Sequence, residues 1–241
     1  MKILYVDVGV SPQWLQPFKK MIELVKRPDV EVEVVGMMRG PPDAEYHYYE
    51  HLLMDELLEI VRKAEKERYD SVVIGCFYDP GLREAREIAR IPIVGPAEAC
   101  MHIASTLGHR FSIITGRRKF VPKMEDNTSI YGLEKKLASI RTVDFSVKEM
   151  EESREKLKEA LLNEAKRAVE EDGAEVIVLG CTAESGFSKE LMEKLKVPVI
   201  DATLVAWKYA EMMADLHRKL GITHSKIGGY ESPPREAGWL E

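Results

Sequence analysis

Two cysteines occupy near-matching contexts about a hundred residues apart. Cys76 closes the apolar run Ser71-Val72-Val73-Ile74-Gly75. Cys181 closes Glu175-Val176-Ile177-Val178-Leu179-Gly180. Short, β-branched, uninterrupted runs of this kind read as strands buried on both faces. Each cysteine is followed by a loop, a helix-like segment and a second strand containing proline, Ile91-Pro92-Ile93-Val94 and Val197-Pro198-Val199-Ile200. Cys76 to Pro92 is 16 residues and Cys181 to Pro198 is 17. A thiolate is a competent base whose pKa a protein can tune. One thiol on each side of a carbon alpha to a carbonyl can remove a proton from one face and return it on the other. That chemistry is racemisation, and it needs no cofactor. A lone free cysteine is more often a small buried hydrophobe. Cys100, inside the helical segment Ala97–Leu107, is read in that way. The duplication is what sets Cys76 and Cys181 apart as the candidate acid–base pair.

Open α/β sheets bind ligands at the carboxyl ends of their strands. The other residues at such ends are therefore candidates for substrate binding. Asp7 ends the first strand, and Thr115-Gly116 ends the strand Phe111–Ile114. Phe77 and Thr182 follow the two cysteines and offer backbone N–H groups to a developing oxyanion. Asp79-Pro80 reads as an N-cap and first residue of the next helix. A helix start beside each cysteine is expected to lower its thiol pKa. Glu98 lies in a helical first turn, and Glu184 in the loop after Cys181 faces either ligand or solvent. Tyr46, His47, Tyr48 and Tyr49 wall a pocket or form a subunit contact; both readings stay open.

Stepwise alternation of strands and helices must position these groups. The pattern predicts strands at Lys2–Val8, Val30–Val35, Ser71–Gly75, Pro92–Gly95, Phe111–Thr115, Ile140–Phe145, Glu175–Gly180 and Val197–Ile200. It predicts helices over Pro12–Lys26, Tyr46–Arg68, Pro80–Ala89, Ala97–Leu107, Lys148–Glu171, Ser188–Lys196 and Thr203–Leu220, with a mixed stretch at Lys119–Leu137. Such alternation gives parallel sheets with right-handed crossovers. The expected fold class is α/β, with two pseudo-symmetric lobes, each a mostly parallel sheet flanked by helices. The first lobe is expected to comprise 1–97 plus 205–241, and the second 98–204. Ile222–Glu241 reads as a surface extension.

Composition narrows the classes. The 241 residues are 45% apolar, enough for a sizeable core, and no run is long enough to span a membrane. A strand-like segment begins at Lys2, which leaves no room for a signal peptide before it and points to a cytoplasmic protein. The net charge of −6 disfavours nucleic acid and acidic membranes as partners. A small-molecule substrate and a homo-oligomer are expected. Three cysteines are too few for a disulfide framework; no Cys-x-x-Cys spacing occurs, and His47 and His51, four apart, lack a third ligand.

Several of these residues also carry a resemblance. Cys76-Phe77-Tyr78-Asp79-Pro80-Gly81-Leu82 resembles the Cys-Phe-x-Asp-Pro-Gly-Leu signature of hydantoin racemases in the aspartate/glutamate racemase superfamily. Leu179-Gly180-Cys181, Val199-Ile200-Asp201 and Gly95-Pro96-Ala97-Glu98-Ala99 are similar to further motifs of that family, so that the likeness covers roughly residues 1 to 220. It implies two lobes with substrate in the cleft between them, no cofactor, and acid–base roles for Cys76 and Cys181. Two stretches depart from the pattern. The first loop is Asp7-Val8-Gly9-Val10-Ser11 where the family has Asn-Pro-Asn-Thr. The second motif is Gly180-Cys181-Thr182-Ala183-Glu184 where hydantoin racemases have Gly-Cys-Ala-Gly-Met. A hydantoin-like ring amide is the expected substrate. An acidic amino acid, a single-cysteine isomerase or decarboxylase reaction, and a two-lobed sensor are the alternatives.

Overall fold

The structure, a computed structural model, describes residues 1–234. Strands β1 (Lys2–Asp7), β2 (Glu31–Gly36), β3 (Ser71–Gly75) and β4 (Ile93–Val94) form one parallel sheet in the order β2-β1-β3-β4. Strands β5 (Phe111–Thr115), β6 (Leu137–Thr142), β7 (Val176–Leu179) and β8 (Val199–Ile200) form a second in the order β6-β5-β7-β8. The order is the same in both, so the duplication seen around the cysteines extends to four strands. The crossovers are α1 (Leu15–Val25), α2 (His47–Lys66) and α3 (Leu82–Ile88) in the first sheet. In the second they are α5 (Val121–Ile130), α6 (Val147–Glu152), α7 (Arg154–Asp172) and α8 (Ser188–Leu195). Helix α4 (Pro96–Leu107) joins the sheets, and α9 (Ala202–Leu220) returns to pack on the first.

The fold explains the glycine before each cysteine. A Cβ at Gly75 would lie 2.4 Å from the Tyr5 ring and 2.6 Å from the Val6 carbonyl oxygen. A Cβ at Gly180 would lie 2.5 Å from the Ile113 side chain and 2.9 Å from the Ile114 carbonyl oxygen. Only hydrogen fits at either strand end, because the central strand of each sheet passes so close. One apolar core joins the sheets: Leu4, Val72 and Ile74 of the first share it with Phe111, Ile113 and Val178 of the second. Cys100 and Met101 of α4 are fully buried in the same core. Trp207 of α9 is fully buried among Ile3, Tyr5 and Phe18 on the opposite face of the first sheet. Burying side chains of this size contributes about 1.5–3 kcal/mol each.

Four expectations need correction. The single helix over Lys148–Glu171 is two helices, broken at Ser153 (φ −131°). Helical periodicity runs through the break, but α6 has its own start, a capping box between Ser146 and Glu149. The strand expected at Ile140–Phe145 is β6, starting three residues earlier, a half-exposed edge strand without a continuous apolar run. Helix α3 starts at Leu82 after Gly81 (φ 64°), two residues beyond Pro80. The tail through residue 234 has no helix or strand, yet it is tied down. His224 Nε2 accepts from the Ile93 N–H at 3.0 Å, and Lys226 Nζ donates to the carbonyls of Arg86, Glu87 and Ala89 at the end of α3. The rest of the expected extension lies outside the described residues. Among those described, no helix is long and apolar enough to cross a membrane.

Candidate active site

A cavity of about 420 Å³ opens at the carboxyl ends of β1, β3 and β7. Asp7, Cys76, Phe77, Cys181 and Thr182 all contribute to its wall. Five of the seven residues singled out in the sequence therefore meet at one place. Thr115 and Gly116 are not among the lining residues. Thr115 is fully buried and its hydroxyl donates to the Gly180 carbonyl at 3.4 Å. A Cβ at Gly116 would meet Met150 at 2.4 Å and the Phe145 carbonyl oxygen at 2.5 Å, so this glycine serves close packing.

Asp7 ends β1 and accepts a hydrogen bond from the Ser11 hydroxyl at 2.7 Å. Burial pushes its pKa up to about 7, with Ser11 opposing. Its carboxyl therefore carries a proton through the mildly acidic range and can donate as well as accept. Cys76 and Cys181 are both partly exposed at the cavity wall. The expected lowering of their pKa values is not found. Burial pushes Cys76 up to about 12, helped by the negative charges of Glu50, Asp79 and Asp7 and opposed by the Tyr78 N–H. Burial also pushes Cys181 well up, and the Glu184 carboxyl adds to it. The helices meant to depress these values begin at Leu82 and Ser188, several residues away, and a helix terminus acts only within its own turn.

The two cysteine peptides are tied to each other. The Thr182 hydroxyl donates to the Gly75 carbonyl at 3.2 Å, across the gap between the sheets. Trp14 and Phe18 stack at 5.5 Å on one side of the cavity. Tyr78 and Phe120 meet edge to face at 5.9 Å on another. Arg117, near the rim, is paired with Glu45 at 3.1 Å. Among the described residues no group of three or more His, Cys, Asp or Glu is placed to hold a metal ion.

The family description Asp/Glu/Hydantoin racemase matches residues 15–210. The chain belongs to this racemase family. It is 36% identical to the hydantoin racemase of Pseudomonas sp. (strain NS671) over 98% of its own length and 93% of the relative's. The solved structure of allantoin racemase from Klebsiella pneumoniae superposes with a TM-score of 0.92 at 31% identity, covering 98% of this chain and 95% of that one. A variant of arylmalonate decarboxylase shares the fold, with a TM-score of 0.66 at 16% identity over 88% of this chain and 92% of that one.

Within this racemase fold several site features escaped the sequence reading. Helix α6 brings Val147, Lys148, Glu151 and Glu152 to the cavity; the Ser146-x-x-Glu149 spacing was the signal for it. Asp79 does not cap α3. Its carboxylate accepts from the Ala97 and Glu98 N–H groups at 2.9 and 2.8 Å, the first turn of α4. Glu98 pairs with the buried Arg86 guanidinium, Nη1 to Oε1 at 2.9 Å. Glu184 is fully buried, and neither of its carboxylate oxygens has a hydrogen-bond partner. Burial raises its pKa well above the usual carboxylate range. Tyr46 to Tyr49 lie beyond the rim, with Tyr46 and Tyr48 exposed.

Proposed function

We propose that this family member racemises a neutral ring amide of the hydantoin class, using Cys76 and Cys181 as base and acid on opposite faces of the ring carbon alpha to the carbonyl. The observation that carries the reading is the convergence of both strand-Gly-Cys ends on one cavity. Because burial raises both thiol pKa values, one cysteine must first lose its proton to solvent; its thiolate then takes the carbon-bound proton. The released electron pair delocalises onto the adjacent carbonyl oxygen as an enolate. The thiol of the other cysteine then delivers its proton to the opposite face, which leaves the pair with its roles exchanged. The N–H groups following each cysteine, those of Phe77 and Thr182, are suited to hold the enolate oxygen. The protonated Asp7 carboxyl is suited to donate to the ring.

Charge in the cavity supports a neutral substrate. Besides Asp7, and Glu45 with its partner Arg117, the acids Asp43, Glu151 and Glu152 line it against one cation, Lys148. A carboxylate substrate, whether an acidic amino acid or a malonate, would meet net repulsion there. The apolar wall of Val8, Trp14, Phe18, Phe120 and Met124 favours an apolar substituent on the ring. The test is to replace Cys76 and Cys181 singly by serine and to follow optical rotation with D- and L-5-benzylhydantoin, allantoin and the acidic amino acids. Each replacement should lower racemisation of the hydantoins in both directions by roughly 10²–10⁴-fold. Undiminished racemisation by either variant would overturn the mechanism, and turnover of the amino acids alone would overturn the substrate class.

A further inference from the structure

The segment Gly75–Asp79, which carries the first cysteine, is held mainly by groups from outside its own sheet. Gly75 accepts from Thr182, which follows β7 of the second sheet. The Tyr78 carbonyl accepts from Asn127 Nδ2 at 3.0 Å, and Asn127 lies on α5, between β5 and β6. Asp79 accepts from the first two N–H groups of α4 and from the Tyr131 hydroxyl at 2.6 Å, and Tyr131 immediately follows α5. Asp79 closes the turn itself, its own N–H donating to the Cys76 carbonyl at 3.0 Å.

Two features mark this as a fitted device. Asp79 has φ 52°, a left-handed conformation that is uncommon outside glycine and that aspartate tolerates. The N-cap position of α4 is Gly95, where a Cβ would lie 2.4 Å from the Asp79 carboxyl carbon. The carboxylate from the cysteine loop fills the space in which a capping side chain would otherwise sit. A move of α4 or of the Tyr131 segment therefore pulls directly on the turn that aims Cys76.

We propose that Asp79 is a positioning residue for Cys76, and that its bond to Tyr131 makes the aim of the first thiol depend on how α5 of the second sheet is seated against the first. The effect on turnover rests on the two-cysteine reading. The effect on the reactivity of Cys76 does not. The inference predicts a change confined to one of two thiols in the same cavity, which general loosening of the fold would not give.

The experiment uses the full chain with Tyr131→Phe, which keeps the ring and the α4 cap, and with Asp79→Asn. Iodoacetamide labelling of Cys76 and Cys181 is timed in the same sample by peptide mass mapping, and kcat and KM are measured in both directions with 5-benzylhydantoin. In Tyr131→Phe the Cys76 rate should change by at least about fivefold while the Cys181 rate stays within about twofold. The kcat should fall by about ten- to a hundredfold with little change in KM. Asp79→Asn should exceed Tyr131→Phe in both readouts; if it fails to fold, Tyr131→Phe decides alone. A ratio of Cys76 to Cys181 labelling within about twofold of the parent protein in Tyr131→Phe would overturn the proposal, whatever the activity. Racemisation that survives Cys76→Ser would instead sink the two-cysteine reading and leave the labelling result standing.

Discussion

The loops after Cys76 and Cys181 begin alike and end differently. In each, a buried acid stands three residues after the cysteine, Asp79 or Glu184, and its N–H donates to the cysteine carbonyl at 3.0 Å. Asp79 then finds three donors, and Glu184 finds none. The cause lies one helix further on. Helix α4 starts at Gly95 and borrows its cap from Asp79. Helix α9 starts at Asp201, whose own carboxylate accepts from the Thr203 and Leu204 N–H groups at 3.0 and 3.1 Å and from the Gly186 N–H at 2.8 Å. With α9 capped by its own residue, the acid of the second loop has no work there. The loop is held instead by Arg154 at the start of α7, which donates to the Ala183 and Ser185 carbonyls, the latter at 2.6 Å. A duplicated scaffold thus keeps the strand-Gly-Cys end twice, while the anchoring of each cysteine loop has diverged.

The contrast can be broken at three places. The largest effect is expected at the glycines, where the copies should behave alike. Gly75→Ala and Gly180→Ala should each destabilise the fold by about 2–3 kcal/mol in urea unfolding, with Gly75→Ala the worse because its Cβ meets both a ring and a carbonyl oxygen. Tolerance at either position would mean that the neighbouring strands within each sheet lie less closely there than described.

The thiols come next. Burial raises both pKa values, and Cys181 carries the additional burden of Glu184. Iodoacetamide should modify Cys76 before Cys181. Both rates should climb about tenfold per pH unit between pH 7 and 10, because only the thiolate reacts. Prior modification of Cys181, or a plateau near pH 8, would reverse the assignment.

The acids give the smallest effect and opposite signs. Asp79→Ala should cost about 1–2 kcal/mol through the lost cap. Glu184→Met should stabilise by about 1 kcal/mol, since it removes a buried carboxyl without partners. The cost of Asp79→Ala should also shrink with pH. The folded protein holds the Asp79 proton up to about 7, whereas the unfolded chain releases it near the ordinary value of about 3.9. Stability from the protonated form is therefore complete below pH 4 and is lost as pH rises toward 7. Thermal unfolding at pH 4 and pH 7 distinguishes this from a pH-independent cap.

The strands buried on both faces were legible because such runs delimit themselves: Ser71–Gly75 and Phe111–Thr115 appear at the expected bounds. Edge strand β6 was displaced because Val143 and Phe145 extend the apolar alternation past Thr142, where the strand ends. The meeting of Asp7, Cys76, Phe77, Cys181 and Thr182 was legible from strand ends alone. What sequence could not show was partnership across the fold. Asp79-Pro80 looks like a local cap, and nothing near it says that the vacancy it fills is at Gly95. Glu184 reads as an acid facing ligand or solvent, since its burial depends on α6 and α9 packing against its turn. The break at Ser153, which delivers Arg154 to the second loop, was hidden under uninterrupted helical spacing.

The apolar core that Leu4, Ile74, Phe111 and Val178 share has a bearing on how the molecule assembles. The two sheets meet through helix α4, which touches β3 on one side and β5 and β7 on the other. A chain cut after α4 would leave the flank of that helix that meets β5 and β7 wet, so the second half supplies cover that the first half lacks.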